Sequence, residues 1–240
     1  MSKLLSIIEM QKKREQGGIS FELNVPTFNL QQGQFVAIVG ASGCGKSSLL
    51  DILALVLRPS QCKEFLIHTA SEIMNITEIW KHEAKLATIR RNIFGYVLQT
   101  GGLLPFLTVE RNIYLPIKVK HSGYSTEDIY ELAKKMGVEQ ILTKKPQYLS
   151  GGQRQRVAIL RAMAHKPNII LADEPTAAVD KENAHIIVKN FYSLAKESGT
   201  TIVMVTHDHD LVAELADITY TFKVKHESAT ATSSVLEVQA

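Results

Sequence analysis

Four short runs of apolar, largely β-branched residues set the frame for this chain: Phe35-Val-Ala-Ile-Val39, Phe94-Gly-Tyr-Val-Leu98, Ile169-Ile-Leu-Ala172 and Thr201-Ile-Val-Met-Val-Thr206. Each lacks polar alternation, which suits a strand buried on both faces of a parallel sheet. Helix-compatible spacing lies between them, over Ser47–Leu57 and Glu182–Lys196 among others, and strands that alternate with helices define a layered α/β fold. Each run ends at a polar or glycine-rich element: Gly40 to Ser47, Gln99, Asp173-Glu174 and His207. Ligands of open parallel sheets bind beyond the carboxyl ends of the strands, so these four elements are predicted to converge in one cleft. The 240 residues, 45% of them hydrophobic, suffice for one sizeable core without a second module.

The segment Gly40-Ala41-Ser42-Gly43-Cys44-Gly45-Lys46-Ser47 fits the phosphate-loop pattern G-x-x-x-x-G-K-[ST], in the strand-to-helix setting that pattern needs. Glycines let the backbone curl so that successive N–H groups face phosphate oxygens, and the N-terminus of the following helix adds its positive field. Lys46 is expected to neutralise β- and γ-phosphate charge and the Ser47 hydroxyl to ligate Mg²⁺, with Ser48 completing the phosphate-binding set. A thiol beside Lys46 and a helix N-terminus should be acidified. Cys44 is therefore expected to react with maleimide and to be protected by bound ATP.

Leu149-Ser150-Gly151-Gly152-Gln153 opens a helix that carries Val157, Leu160 and Ala164 on one face, with Ser150 and Gln153 in capping-box positions. Capping explains the serine and the glutamine. It does not explain two adjacent glycines, each of which costs a helix about 1 kcal/mol. Glycines there are useful where a charged ligand must approach the backbone closely. This segment resembles the signature motif of the ATP-binding cassette (ABC) family, and with the phosphate loop it extends the resemblance across nearly the whole chain.

The resemblance implies a P-loop NTPase core with a mainly parallel sheet, a helical subdomain inserted at about 101–164, and a small antiparallel β flank. The ABC domain is expected to span 1–225. A tail at 226–240, rich in Ser, Thr and Ala, is expected to be mobile, with Ser234–Val238 able to add an edge strand. The resemblance also implies roles at the strand ends. Asp173 would hold Mg²⁺ mainly through its water shell, and Glu174 would be the general base for the attacking water, a role that crowding against Asp173 and triphosphate favours. Gln99 corresponds to the glutamine that contacts Mg²⁺ or water at the junction with transmembrane subunits. His207 corresponds to the switch histidine that bridges the γ-phosphate and the catalytic region. Asp180, in Ala177-Ala-Val-Asp180, takes the position that spans two protomers. His207-Asp208-His209-Asp210 has the composition of a metal cluster, but consecutive residues rarely aim at one point, and His209 and Asp210 are read as surface.

Two cassettes of this family pair head to tail, so each ATP would lie between one phosphate loop and the partner copy's Ser150, Gly151, Gly152 and Gln153. The implied activity is Mg²⁺-dependent ATP hydrolysis coupled to permease subunits, at the cytoplasmic face of the inner membrane and without insertion of this chain. Gln99-Thr-Gly-Gly-Leu-Leu-Pro-Phe-Leu-Thr-Val109 and Asn112-Ile-Tyr-Leu-Pro116 are similar to bacterial cassettes of lipoprotein release, macrolide export or cell-division membrane complexes. Soluble relatives of chromosome or DNA-repair type carry a long coiled coil or zinc insertion between the two nucleotide motifs. The stretch from Ser47 to Ile169 has neither sustained heptads nor Cys pairs. Nucleic acid is not expected as a partner, because a net charge of +3 is small and the pairs Lys12-Lys13, Lys134-Lys135 and Lys144-Lys145 are scattered.

Two departures from the family pattern stand out. The stretch that normally supplies an aromatic residue to stack on adenine reads Lys12-Lys13-Arg14-Glu15-Gln16. Arg14 and Phe21 are the alternatives for that role. The flank after Leu57 reads Ser60-Gln-Cys-Lys-Glu64 in place of a Ser-Gly turn.

Overall fold

A computed structural model describes residues 2–177 and 179–239 of the chain. Its centre is built from the four apolar runs, now bounded as β3 (Phe35–Val39), β6 (Phe94–Val97), β7 (Ile169–Asp173) and β8 (Thr201–Thr206). Two long strands precede them, β1 (Lys3–Gln16) and β2 (Ile19–Gln31), and the flank adds β4 (Gln61–His68) and β5 (Ile73–Asn75). The chain ends with β9 (Ile218–His226) and β10 (Ala231–Val238). All join one sheet in the order β5-β4-β1-β2-β10-β9-β3-β8-β7-β6. From β9 to β6 the pairing is parallel. From β5 to β2 it is antiparallel.

Side-chain alternation divides the core between the two faces of this sheet. Along β3, Phe35, Ala37 and Val39 enter one apolar cluster, while Val36 and Ile38 enter the other. The second face is covered by α1 (Lys46–Leu53), α2 (Ile76–Ile79) and α3 (Glu83–Ile93), through Leu49, Leu50, Leu53, Ile76, Leu86 and Ile93. The first face carries α4 (Val109–Lys120), α5 (Thr126–Lys135), α6 (Gly151–Met163) and α7 (Lys181–Ser198).

The helices between β6 and β7 begin where their caps place them. The Thr108 hydroxyl accepts from Arg111 N–H, Ser125 forms a capping box with Asp128, and Ser150 forms one with Gln153. Helix-compatible spacing in the sequence covers Thr108–Ile113, which is only the start of α4, because the helix runs on through Pro116 to Lys120. Proline removes one N–H and strains the preceding turn. Buried Val109, Asn112 and Ile113 hold the helix nonetheless, with Asn112 making hydrogen bonds to Leu104 at 2.8 and 3.1 Å.

The expected mobile tail with an edge strand is corrected. β10 lies inside the sheet, parallel to β2 on one side and antiparallel to β9 on the other. Its polar composition concealed this, but Ser234 and Leu236 are buried and Ser234 is hydrogen-bonded. The divergent flank is also ordered: Ser60 N–H donates to Gln11 O at 2.8 Å and leads directly into β4.

Candidate active site

The carboxyl ends of β3, β6, β7 and β8 open onto a cleft of about 820 Å³. The phosphate loop contributes Ser42, Gly43, Gly45, Lys46, Ser47 and Ser48 to its lining. Gln99, Glu174 and His207 face them from the neighbouring strand ends. Glycine is required at Gly45, where φ is 108° and a Cβ would approach the Phe21 ring to 3.2 Å. It is required at Gly40 for a different reason: a Cβ would meet Cys44 Sγ at 2.8 Å. Gly40 and Ala41 do not line the cleft. Their carbonyls accept from Lys46 Nζ at 2.7 and 2.9 Å, which folds the lysine onto its own loop.

Glu174 sits just past β7 at φ 41°, its N–H bonded to Val205 O at 3.0 Å. This left-handed backbone is costly for a non-glycine residue and is held by the neighbouring strand. It turns the carboxylate into the cleft, where Oε2 lies 3.0 Å from His207 Nδ1 and Oε1 lies 3.7 Å from Lys46 Nζ. The acid is mostly covered, whereas the histidine is exposed. His207 and His209 diverge: His209 bonds Gln239 instead, and among the described residues no group of three or more His, Cys, Asp or Glu is placed to hold a metal.

Asp173 lies one residue back, within β7. Burial pushes its carboxyl above the usual carboxylate range, a hydrogen bond from Ser47 opposes this, and the nearby carboxylates of Glu174 and Asp51 add to the rise. The donor set suits Mg²⁺. Ser47, Asp173 and Gln99 offer hard oxygens but a single adjacent carboxylate, and Mg²⁺ is commonly held by one or two carboxylates, water and substrate phosphates. Beneath this group Tyr96 donates to Asp51 Oδ1 at 3.2 Å, and burial beside Asp51 pushes its phenol up. No sequence pattern pointed to that pair.

Cys44 departs from the expectation of an acidified thiol. It is 3% exposed, and burial pushes its pKa up, outweighing the lowering effect of Lys46. Its side chain packs behind the loop and away from the cleft lining.

Both candidates for base contact line the cleft. Arg14 and Phe21 are direct cross-strand partners of β1 and β2 and stand together at the end away from Gln99's strand. By contrast, Ser150, Gly151, Gly152 and Gln153 are absent from the cleft lining. They occupy the first turn of α6, where the Ser150 hydroxyl accepts from Gln153 N–H at 3.2 Å and Gln153 Oε1 accepts from Ser150 N–H at 3.0 Å. Asp180 is likewise outside, capping the start of α7 through Asn183, whose hydrogen bonds hold its carboxyl below the usual range. Ala178, between Ala177 and Asp180, lies outside the described residues.

One further residue joins these regions. Arg161, on α6, donates to the carbonyls of Gly102 at 2.6 Å and Gly101 at 2.8 Å, three and two residues beyond Gln99. A lone arginine in a helix gives no signal of such a role in the sequence.

A phosphate loop, a strand-end acid pair, a strand-end histidine and a capped glycine pair on a separate helix define an ATP-binding cassette. The chain belongs to the ABC transporter family, whose model matches residues 23–177. It is 39% identical over 215 residues to the lipoprotein-releasing system ATP-binding protein LolD of Idiomarina loihiensis, covering 88% of this chain and 91% of that one. It is 38% identical over 215 residues to the macrolide export ATP-binding/permease protein MacB of Chlorobium phaeobacteroides, covering 89% of this chain and 32% of that longer protein. Among solved structures, the dimeric cassette MJ0796 of Methanocaldococcus jannaschii matches with a TM-score of 0.79 and 34% identity, covering 91% of this chain and 94% of that one. A post-hydrolysis dimer of MJ0796 bound to ADP and Pi matches at 0.75 with 32% identity. The family is one of ATPases, and the MJ0796 cassette structures are dimers.

Proposed function

We propose that this chain is the ATP-hydrolysing subunit of a membrane transporter of the lipoprotein-release or macrolide-export type. In this reading it works as a head-to-tail pair at the cytoplasmic face of the inner membrane. The observation that carries the reading is the division of the machinery. Lys46, Gln99, Glu174 and His207 share one cleft, while Ser150 to Gln153 present a polar, glycine-lined helix start elsewhere on the surface. One copy therefore holds half of a composite site, and a second copy supplies the rest.

Phosphate entering the loop would draw Lys46 Nζ from the two carbonyls it now caps and place it on β/γ-oxygens. Glu174 Oε2 would take the proton of the attacking water, and His207 Nδ1, already at 3.0 Å, would orient that carboxylate. Mg²⁺, held by Ser47, Asp173 and Gln99, would supply charge neutralisation on the phosphate oxygens. The partner's Ser150 and glycine N–H groups would close over the γ-phosphate and exclude bulk water. Hydrolysis would then remove the link between copies.

Transmission to a permease is supported by a mainly apolar groove of about 360 Å³ beside the Gln99 segment, lined by Leu104, Leu115, Val119 and Arg161. Arg161 grips Gly101 and Gly102 from the helix that begins at Ser150, so a load on the groove reaches the signature turn through one side chain. Among the described residues no helix is long and apolar enough to cross a membrane, which fits a chain that acts on a separate membrane subunit. Phosphate release with and without Mg²⁺, together with ATP-dependent dimerisation by size exclusion, tests the reading. A chain that hydrolyses ATP at full rate as a strict monomer would overturn it.

A further inference from the structure

The last strand reaches the phosphate loop. Ser234, in the interior strand β10, is fully buried and donates its hydroxyl to the carbonyl of Cys44 at 2.7 Å. It pairs in register with Leu23 of β2 and Val224 of β9, so its backbone is fixed from both sides. Ser234 does not line the cleft, whereas Gly45, the residue after Cys44, does. The hydroxyl therefore holds the loop from behind.

A trans peptide is planar, with its C=O and N–H pointing in opposite directions. Holding the Cys44 carbonyl toward Ser234 consequently aims the Gly45 N–H forward, into the cleft. That N–H donates to no acceptor among the described residues, and an amide of this kind is completed by an anionic ligand. The unusual backbone at Gly45, φ 108°, and the Phe21 ring packed where its Cβ would stand crowd this residue, and the Ser234 hydroxyl is the contact that directs the Cys44 carbonyl.

We infer that Ser234 is a positioning residue for phosphate binding: its hydroxyl sets the orientation of the Cys44–Gly45 peptide and so preorganises one N–H donor of the loop. The C-terminal strand is then part of the nucleotide site, although it touches no nucleotide. This inference rests on the phosphate-loop reading above, and the experiment separates the two.

Inorganic pyrophosphate and ADP are titrated calorimetrically into the wild-type chain and into Ser234→Ala and Ser234→Thr, well below each protein's thermal midpoint. Ser234→Ala is expected to weaken both ligands about tenfold and by the same factor, because the loss falls on the phosphates. Ser234→Thr keeps the hydroxyl and is expected to stay within about twofold of wild type. Wild-type affinities in a folded Ser234→Ala protein, with only its midpoint lowered, would overturn the clamp. Should Ser234→Ala fail to fold, the Gly45 amide resonance of the wild-type chain decides: the clamp requires it to shift on addition of pyrophosphate, and a silent resonance overturns it. A wild-type chain that binds neither ligand instead overturns the phosphate-loop reading itself.

Discussion

Replacing Glu174 by glutamine separates chemistry from binding within one side chain. The substitution keeps size and planarity, and its amide can still meet His207, so the strained turn after β7 is expected to persist. What disappears is a negative oxygen 3.0 Å from His207 Nδ1 and 3.7 Å from Lys46 Nζ. Loss of a positioned base lowers a rate by about 10²–10⁴, or ~3–5 kcal/mol of barrier. Binding should move the other way. A full charge pair at the Lys46 distance amounts to ~4 kcal/mol at an effective dielectric of ~20. Most of this is already shared with the two loop carbonyls that hold Lys46. If only a quarter of it is released to triphosphate, ATP binds about fivefold more tightly. Steady-state phosphate release gives the first quantity. Equilibrium titration with a fluorescent ATP analogue gives the second, and light scattering in saturating ATP-Mg reports the stalled dimer. Glu174→Gln hydrolysing within about threefold of wild type would refute the base assignment. A mutant that binds ATP more weakly, or stays monomeric, would refute the arrangement of Lys46 and the paired site.

Other outcomes follow from the same geometry. Ser150→Ala removes one half of the α6 capping box and should cost about 1 kcal/mol of stability; in addition it should depress hydrolysis without weakening ATP binding to the monomer, a split visible on comparing phosphate release with nucleotide titration. Neither thiol should react readily in the native protein at neutral pH, because burial raises Cys44 and pushes Cys62 up to about 11; the thiolate population, and with it the maleimide rate, should climb only as pH rises toward those raised values, and rapid labelling of native Cys44 at pH 7 would contradict its packing. Arg14→Ala should weaken ADP several-fold while leaving pyrophosphate unchanged, since Arg14 stands at the far end of the cleft from Gln99; equal losses for the two ligands would place the base elsewhere. Arg161→Ala should leave two partly buried carbonyls without their donor and lower the unfolding midpoint by several degrees.

The parts of this molecule that local rules govern were legible in its residues. Val39 to Ser47 had to be a strand, a curled loop and a helix start, because glycines at 40, 43 and 45 and a lysine before Ser47 have few other uses together. The capping box at Ser150 and Gln153 announced α6 within a residue of where it begins. What escaped notice depends on contacts distant in sequence. Ser233 and Ser234 look like part of a polar tail until β2 and β9 are seen on either side of them. Cys44 looked reactive because its neighbours in sequence are a lysine and a helix start. Its surroundings in space, with Sγ close against Gly40 and only 3% of the residue exposed, decide otherwise by excluding water.

The same distinction bears on why the two motif regions stay apart within one copy. Within one copy, strand ends converge because the parallel sheet aligns their carboxyl termini, so Gln99, Glu174 and His207 need no partner to find Lys46. Ser150 cannot join them by folding: α6 is committed to the core through Val157, Ile159, Leu160 and Met163, all buried, and its first turn lies outside the cleft lining. Shifting α6 far enough to bring Ser150 over its own phosphate loop would expose that entire apolar face, which at roughly 1.5–3 kcal/mol per buried side chain exceeds what one phosphate contact returns. In the proposed pairing a second copy would supply the same turn at no such cost, and the core that stabilises the monomer would then be the reason for a site shared between two chains.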